Sequence, residues 1–85
     1  MNEQDIKSLI EAEIRDAEVE IIDTKGTGSH FTARVIAPLF RNLSLLDQHQ
    51  LVYKAVAVHM KKEIHALSIR TFSPEEWETQ KKTEI

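Results

Sequence analysis

The chain has 85 residues, a formal charge of −3 and no cysteine. That length makes one small domain, 1–85, with a modest core. The acidic balance argues against a dedicated nucleic-acid binder, and the missing thiols exclude disulfides and self-contained thiolate metal sites. The opening residues, Met1-Asn2-Glu3-Gln4-Asp5, are polar and acidic, and read as neither a signal nor a transit peptide. No apolar run approaches membrane-spanning length. The expectation is a cytoplasmic protein without a membrane partner.

Ile6, Leu9, Ile10 and Ile14 recur at helical spacing, with Lys7, Glu11, Glu13 and Arg15 opposite, and predict an amphipathic first helix. Ala17, Val19 and Ile21 then alternate with Glu18 and Glu20, the pattern of a half-buried strand. A turn around Gly26 and Gly28 leads to a second alternation, Phe31, Ala33 and Val35 against Thr32 and Arg34. The two strands make a hairpin with a long, flexible tip. Pro38 stops the second strand. Ser44 caps a long helix, with Asp47 at its third position, running over about 45–63 with Leu45, Val52, Ala55, Val56 and Met60 as the inner stripe. His65, Leu67 and Ile69 alternate with Ala66, Ser68 and Arg70 in a third strand. Ser73-Pro74-Glu75-Glu76 is a helix start, with cap residue, proline and third-position glutamate in place. The short helix that follows carries Trp77, and the tail over 81–85 is expected to fray. The order helix, strand, strand, helix, strand, helix predicts an α+β sandwich, a three-stranded mixed sheet with helices packed on one face.

His30 and His65 are the residues that point to chemistry. Each opens a predicted strand, and the stretch between them forms one helical crossover. Such a crossover makes the two strands parallel, so both starts lie at one end of the sheet. Neighbouring strands are about 4.8 Å apart, which brings the two imidazoles to one edge as half of a metal or cluster site. Taken alone, His65 reads as a core-edge histidine bonded to backbone, and His30 as a turn residue. His49 and His59, ten residues apart, do not share a helix face at metal-binding spacing. Ser29 beside His30 is not read as a nucleophile with its base, because neighbours in a strand point to opposite faces.

The motifs Gly26-Thr27-Gly28-Ser29-His30-Phe31, Phe40, Leu51-Val52-Tyr53, Ile64-His65-Ala66-Leu67 and Ser73-Pro74-Glu75-Glu76-Trp77 together resemble the BolA family, in order and spacing, over nearly the whole chain. The resemblance implies a class II KH-like fold. It also implies a non-enzymatic adapter that partners a monothiol (CGFS-type) glutaredoxin, sharing a 2Fe–2S cluster with it and with glutathione. His65 then matches the family's cluster-ligand histidine, and His30 lies where a second, variable ligand is found. Because His65 is expected on a strand and His30 on a loop, His65 is expected to be the more fixed of the two. The isolated chain is expected to hold no cluster.

Departures from the family pattern are Thr27, Asn42 and Gln48-His49-Gln50, the last replacing a more usual Arg-His-Arg. It looks closer to the acid-stress-associated branch of bacterial BolA-like proteins. The change removes two charges from the helix proposed in the family to touch DNA. The alternative function, a weak DNA-binding stress-response regulator, would use the KH-like helix-turn region, but the Phe40-Arg41-Asn42-Leu43-Ser44 connection lacks a Gly-x-x-Gly grip. DNA binding is expected to be weak or nonspecific. Arg34, Arg41, Tyr53 and Lys54 are the candidates for a partner or nucleic-acid surface, and a homodimer is compatible with the sequence.

Overall fold

A computed structural model describes residues 1–83. Asn2 starts the first helix, α1 (Glu3–Glu13), with a reciprocal cap: its side chain accepts from the Asp5 amide at 2.9 Å, and the Asp5 carboxylate accepts from the Asn2 amide at 2.9 Å. Ile6, Ile10 and Ile14 follow one another at four-residue spacing and are fully buried. Asp16, in the left-handed region at φ 58°, turns the chain into the sheet.

Strand β1 (Glu18–Asp23) pairs antiparallel with β2 (His30–Ile36), Glu18 opposite Ile36 and Asp23 opposite Phe31. Strand β3 (Ala66–Phe72) pairs parallel with β2, His30 opposite Ala66 and Ile36 opposite Phe72, which puts β2 in the centre. Phe31, Ala33, Val35, Val19 and Leu67 face a core completed by α1 and by Val52 and Val56 of α2 (Leu45–Val56). The mixed sheet, the three helices and their order are as the sequence predicts.

Pro38 ends β2 as expected and opens a short 3-10 turn, Pro38–Asn42, which buries Phe40. The capping of α2 is also as read: Ser44 Oγ accepts from the Asp47 amide at 3.1 Å. Two expectations for this helix need correction. It stops at Val56, passes through a 3-10 turn, Ala57–His59, and ends in a tight bend with Lys61 at φ 67°. The amides of Lys62 and Ile64 donate to His59 O, and that of Lys61 to Ile64 O, so that Ile64 turns in and is completely buried. A helix continued to 63 would forgo that burial. The inner stripe is also shifted. Leu45 is 62% exposed, whereas Gln48, 6% exposed, takes the position one turn before Val52. Its amide nitrogen donates to the carbonyls of Phe40 (3.1 Å) and Leu43 (2.9 Å), and its oxygen accepts from the Thr71 hydroxyl. With its hydrogen-bonding groups matched, a polar side chain is tolerated there.

The third helix, α3 (Pro74–Thr83), starts with the predicted box: Ser73 N donates to Glu76 Oε1 at 2.8 Å, and Glu76 N to Ser73 Oγ at 3.2 Å. The helix takes in 81–83 of the expected frayed tail, and 84–85 lie outside the described residues. Whereas α1 and α2 cover the inner face, Trp77 of α3 packs on Phe72 (5.4 Å between rings) with the Arg34 guanidinium 4.2 Å from its centroid. Arg34 lies between the buried Ala33 and Val35, so this ring covers the outer face.

Candidate metal-binding half-site

The α2 crossover and the parallel pairing bring the starts of β2 and β3 to the same end of the sheet. His30 is the first residue of β2, and His65 immediately precedes β3. Their ring centroids are 5.8 Å apart and the rings are nearly perpendicular, at 85°. The predicted convergence of the two imidazoles is present.

Ser29 holds both. Its carbonyl accepts from the amides of His65 (2.8 Å) and Ala66 (3.3 Å), which fixes the backbone of the second histidine. Its Oγ lies 2.9 Å from His30 Nδ1 and 2.9 Å from Thr27 Oγ1. The sequence argument that Ser29 and His30 point apart fails because Ser29 precedes the strand and does not share its alternation. The ranking of the histidines also changes. His30 is half-buried with its ring tied to Ser29, whereas His65 is exposed in the bend before its strand.

The loop before His30 is less free than its glycines suggest. Asp23 accepts through Oδ1 from the amides of Lys25 (3.3 Å) and Gly26 (2.8 Å), and through Oδ2 from that of Gly28 (2.8 Å). The Gly28 amide above all, helped by those of Lys25, Gly26 and Thr27, holds the Asp23 carboxyl below its ordinary range. Gly26 and Gly28 have φ of 68° and 75°, and a Cβ at Gly28 would stand 3.1 Å from the Met1 carbonyl. Thr24 closes the loop, its amide and hydroxyl both donating to His30 O. Sequence reading missed Asp23, and gave Thr27 and Ser29 no part in holding the histidines. The available signal was an aspartate three and five residues ahead of glycines, the pattern of a side chain folded onto its own turn.

Among the described residues no three His, Asp or Glu side chains gather as a metal site. With no cysteine in the chain, the two imidazoles are the donor set of this edge. A pair of imidazoles can replace two thiolates on one iron of a 2Fe–2S centre, so the residue types present fit half of such a ligand shell.

The four other candidates are each engaged within the fold. Arg34 Nη2 reaches Glu20 Oε2 at 3.3 Å beneath Trp77, and its buried Nε has no hydrogen-bond partner among the described residues. Arg41 grips Glu75 with two bonds of 2.7 Å, and this guanidinium holds the Glu75 carboxyl below its ordinary range. Lys54 pairs with Glu13 at 3.2 Å, and the Tyr53 hydroxyl donates to Leu67 O at 2.8 Å. His59 bonds Glu63 at 2.8 Å, beyond the end of α2. Of the two glutamines standing for arginines, Gln48 is buried and only Gln50 is exposed.

A family model described as BolA-like protein matches residues 7–76. A BolA-like protein of Dictyostelium discoideum is 33% identical over 91 residues, covering 98% of this chain and 80% of its own. The solved structure of a BolA protein homologue from Coxiella burnetii is 39% identical with a TM-score of 0.76, covering 92% of this chain and 97% of that one. A Haemophilus influenzae protein named DNA-binding transcriptional regulator BolA is 34% identical over 59 residues, 69% of this chain and 57% of its own. The match takes in both histidines, the hairpin, the crossover and the start of α3, and on it the chain belongs to the BolA family.

Proposed function

We propose that this protein is a non-enzymatic iron–sulfur cluster adapter. In this reading it partners a monothiol glutaredoxin and takes part in holding a 2Fe–2S cluster through His65 and His30, in cluster assembly, trafficking or iron regulation. One observation carries the reading: two imidazoles 5.8 Å apart at one sheet edge, with no third metal-binding side chain beside them among the described residues. The cluster is cargo held between two proteins, and the partner cysteine and a glutathione thiol supply the thiolates that this chain lacks. The chain's own part is to offer two imidazoles side by side and to keep their backbones registered through Ser29. The test is co-purification with a monothiol glutaredoxin, with and without iron and glutathione, followed by visible absorption. Colour and a stable heterodimer are expected only when all components are present. A stoichiometric cluster in the lone chain, or no complex under any condition, would overturn the reading.

A second reading, weak binding to duplex DNA, is favoured by the name of the Haemophilus relative. In this chain Arg34, Arg41 and Lys54 are each engaged by a carboxylate, which leaves them poorly disposed toward phosphates.

A further inference from the structure

We propose that Ser29 is the positioning residue of the histidine pair, its hydroxyl selecting which ring nitrogen of His30 is offered outward and its carbonyl setting where His65 stands. The inference deepens the adapter reading and rests on it for the direction of the hydrogen bonds. The placement rests on geometry alone. Ser29 Oγ occupies the Nδ1 side of His30 at 2.9 Å, so a ligand can reach only Nε2. The Ser29 hydroxyl has a further partner in Thr27 Oγ1 at 2.9 Å, making a chain of imidazole, hydroxyl and hydroxyl. Run outward, Nδ1–H donates to Ser29 and Ser29 donates to Thr27, which leaves Nε2 bare. Run inward, the proton sits on Nε2 and blocks ligation. A ligating histidine characteristically donates its other N–H to a neighbouring acceptor, so the outward direction is assigned.

The same residue governs His65 by a different atom. The Ser29 carbonyl takes the amides of His65 and Ala66, and no side-chain substitution at 29 removes it. Ser29→Ala therefore separates the two functions: it frees the His30 ring and leaves the His65 anchor in place.

The experiment uses the full chain labelled with 15N at about pH 8, above the usual imidazole titration range, and reads ring tautomers by long-range 1H–15N correlation. In the unsubstituted protein His30 is expected to show a protonated Nδ1 and a bare Nε2. Ser29→Ala is expected to shift His30 toward the Nε2–H form that an unconstrained histidine side chain prefers. Ser29→Thr, which keeps a hydroxyl, should restore the original tautomer, with His65 the same in all three. A proton on His30 Nε2 in the unsubstituted chain overturns the assignment even if Ser29→Ala fails to fold, and so does a tautomer indifferent to Ser29→Ala. No metal or partner is present in this measurement. A positive result with no cluster in the co-purification sinks only the adapter reading, and a cluster formed with an unresponsive His30 tautomer sinks only this one.

Discussion

Gln48 shows how much a single buried amide can decide. Three groups depend on it, the carbonyls of Phe40 and Leu43 and the hydroxyl of Thr71. Gln48→Ala leaves them unmatched around a small void and is expected to cost roughly 2–4 kcal/mol in chemical denaturation. A midpoint unchanged from the parent would show that water replaces the amide at no cost. At the candidate site, neither histidine is ranked above the other by a loop-against-strand argument. His30 is restrained through its ring and His65 through its backbone. His30→Ala and His65→Ala are each expected to reduce strongly the visible circular dichroism of the reconstituted heterodimer, and the double variant to abolish it. A histidine whose removal leaves the spectrum intact is not a ligand.

Among the elements, the hairpin loop carries a pH dependence with a definite sign. The folded Asp23 carboxyl titrates below its ordinary value of 3.8, so its contribution to loop order is complete above that value. It is lost as pH falls through the depressed one. The Gly26 and Gly28 amide shifts should therefore hold steady down to the ordinary carboxylate value and move only beneath it. A transition at or above 3.8 would mean that the carboxylate does not hold the loop. The elements also divide sharply in how legible they were. Alternation exposed all three strands, and the Ser44 and Ser73 caps marked two helix starts, because those signals are local. The end of α2 was hidden: Lys61 adopts a left-handed backbone without being glycine, and no proline intervenes. What ends the helix is the burial of Ile64, a tertiary demand. Leu45 and Gln48 exchanged expected places for a related reason, since only the fold reveals the carbonyls waiting for an amide. The approach of His30 and His65 could be inferred from topology, but the Ser29 link could not, because it depends on where the strand starts to within one residue.

At the scale of the molecule, charge is spent internally. Two of the cations nearest the helix-turn region are paired across elements, Arg41 to α3 and Lys54 to α1. Duplex DNA binding should be weak and, with few phosphate contacts on offer, only shallowly salt-dependent. Gln50→Arg, on an exposed position, should steepen the dependence of log affinity on log salt by about 0.9 for one new phosphate contact. Gln48→Arg should add nothing to binding and should lower stability, since that side chain is buried. Fluorescence anisotropy across a salt series checks both, and an unchanged slope for Gln50→Arg would remove this part of α2 from any DNA-facing surface. His30 and His65 are also about 35 positions apart, at the two ends of the entire crossover. An ion gripped by both imidazoles is therefore a removable staple across a long loop of chain. In the chain-entropy treatment of cross-links, closing a loop of that length is worth about 3–4 kcal/mol. On the adapter reading, cluster loading of the heterodimer with a glutaredoxin should raise this chain's melting temperature, chelation should reverse the gain, and His65→Ala should blunt both effects. The protein would then carry its cargo in its most tightly knotted form and hand it over in a looser one.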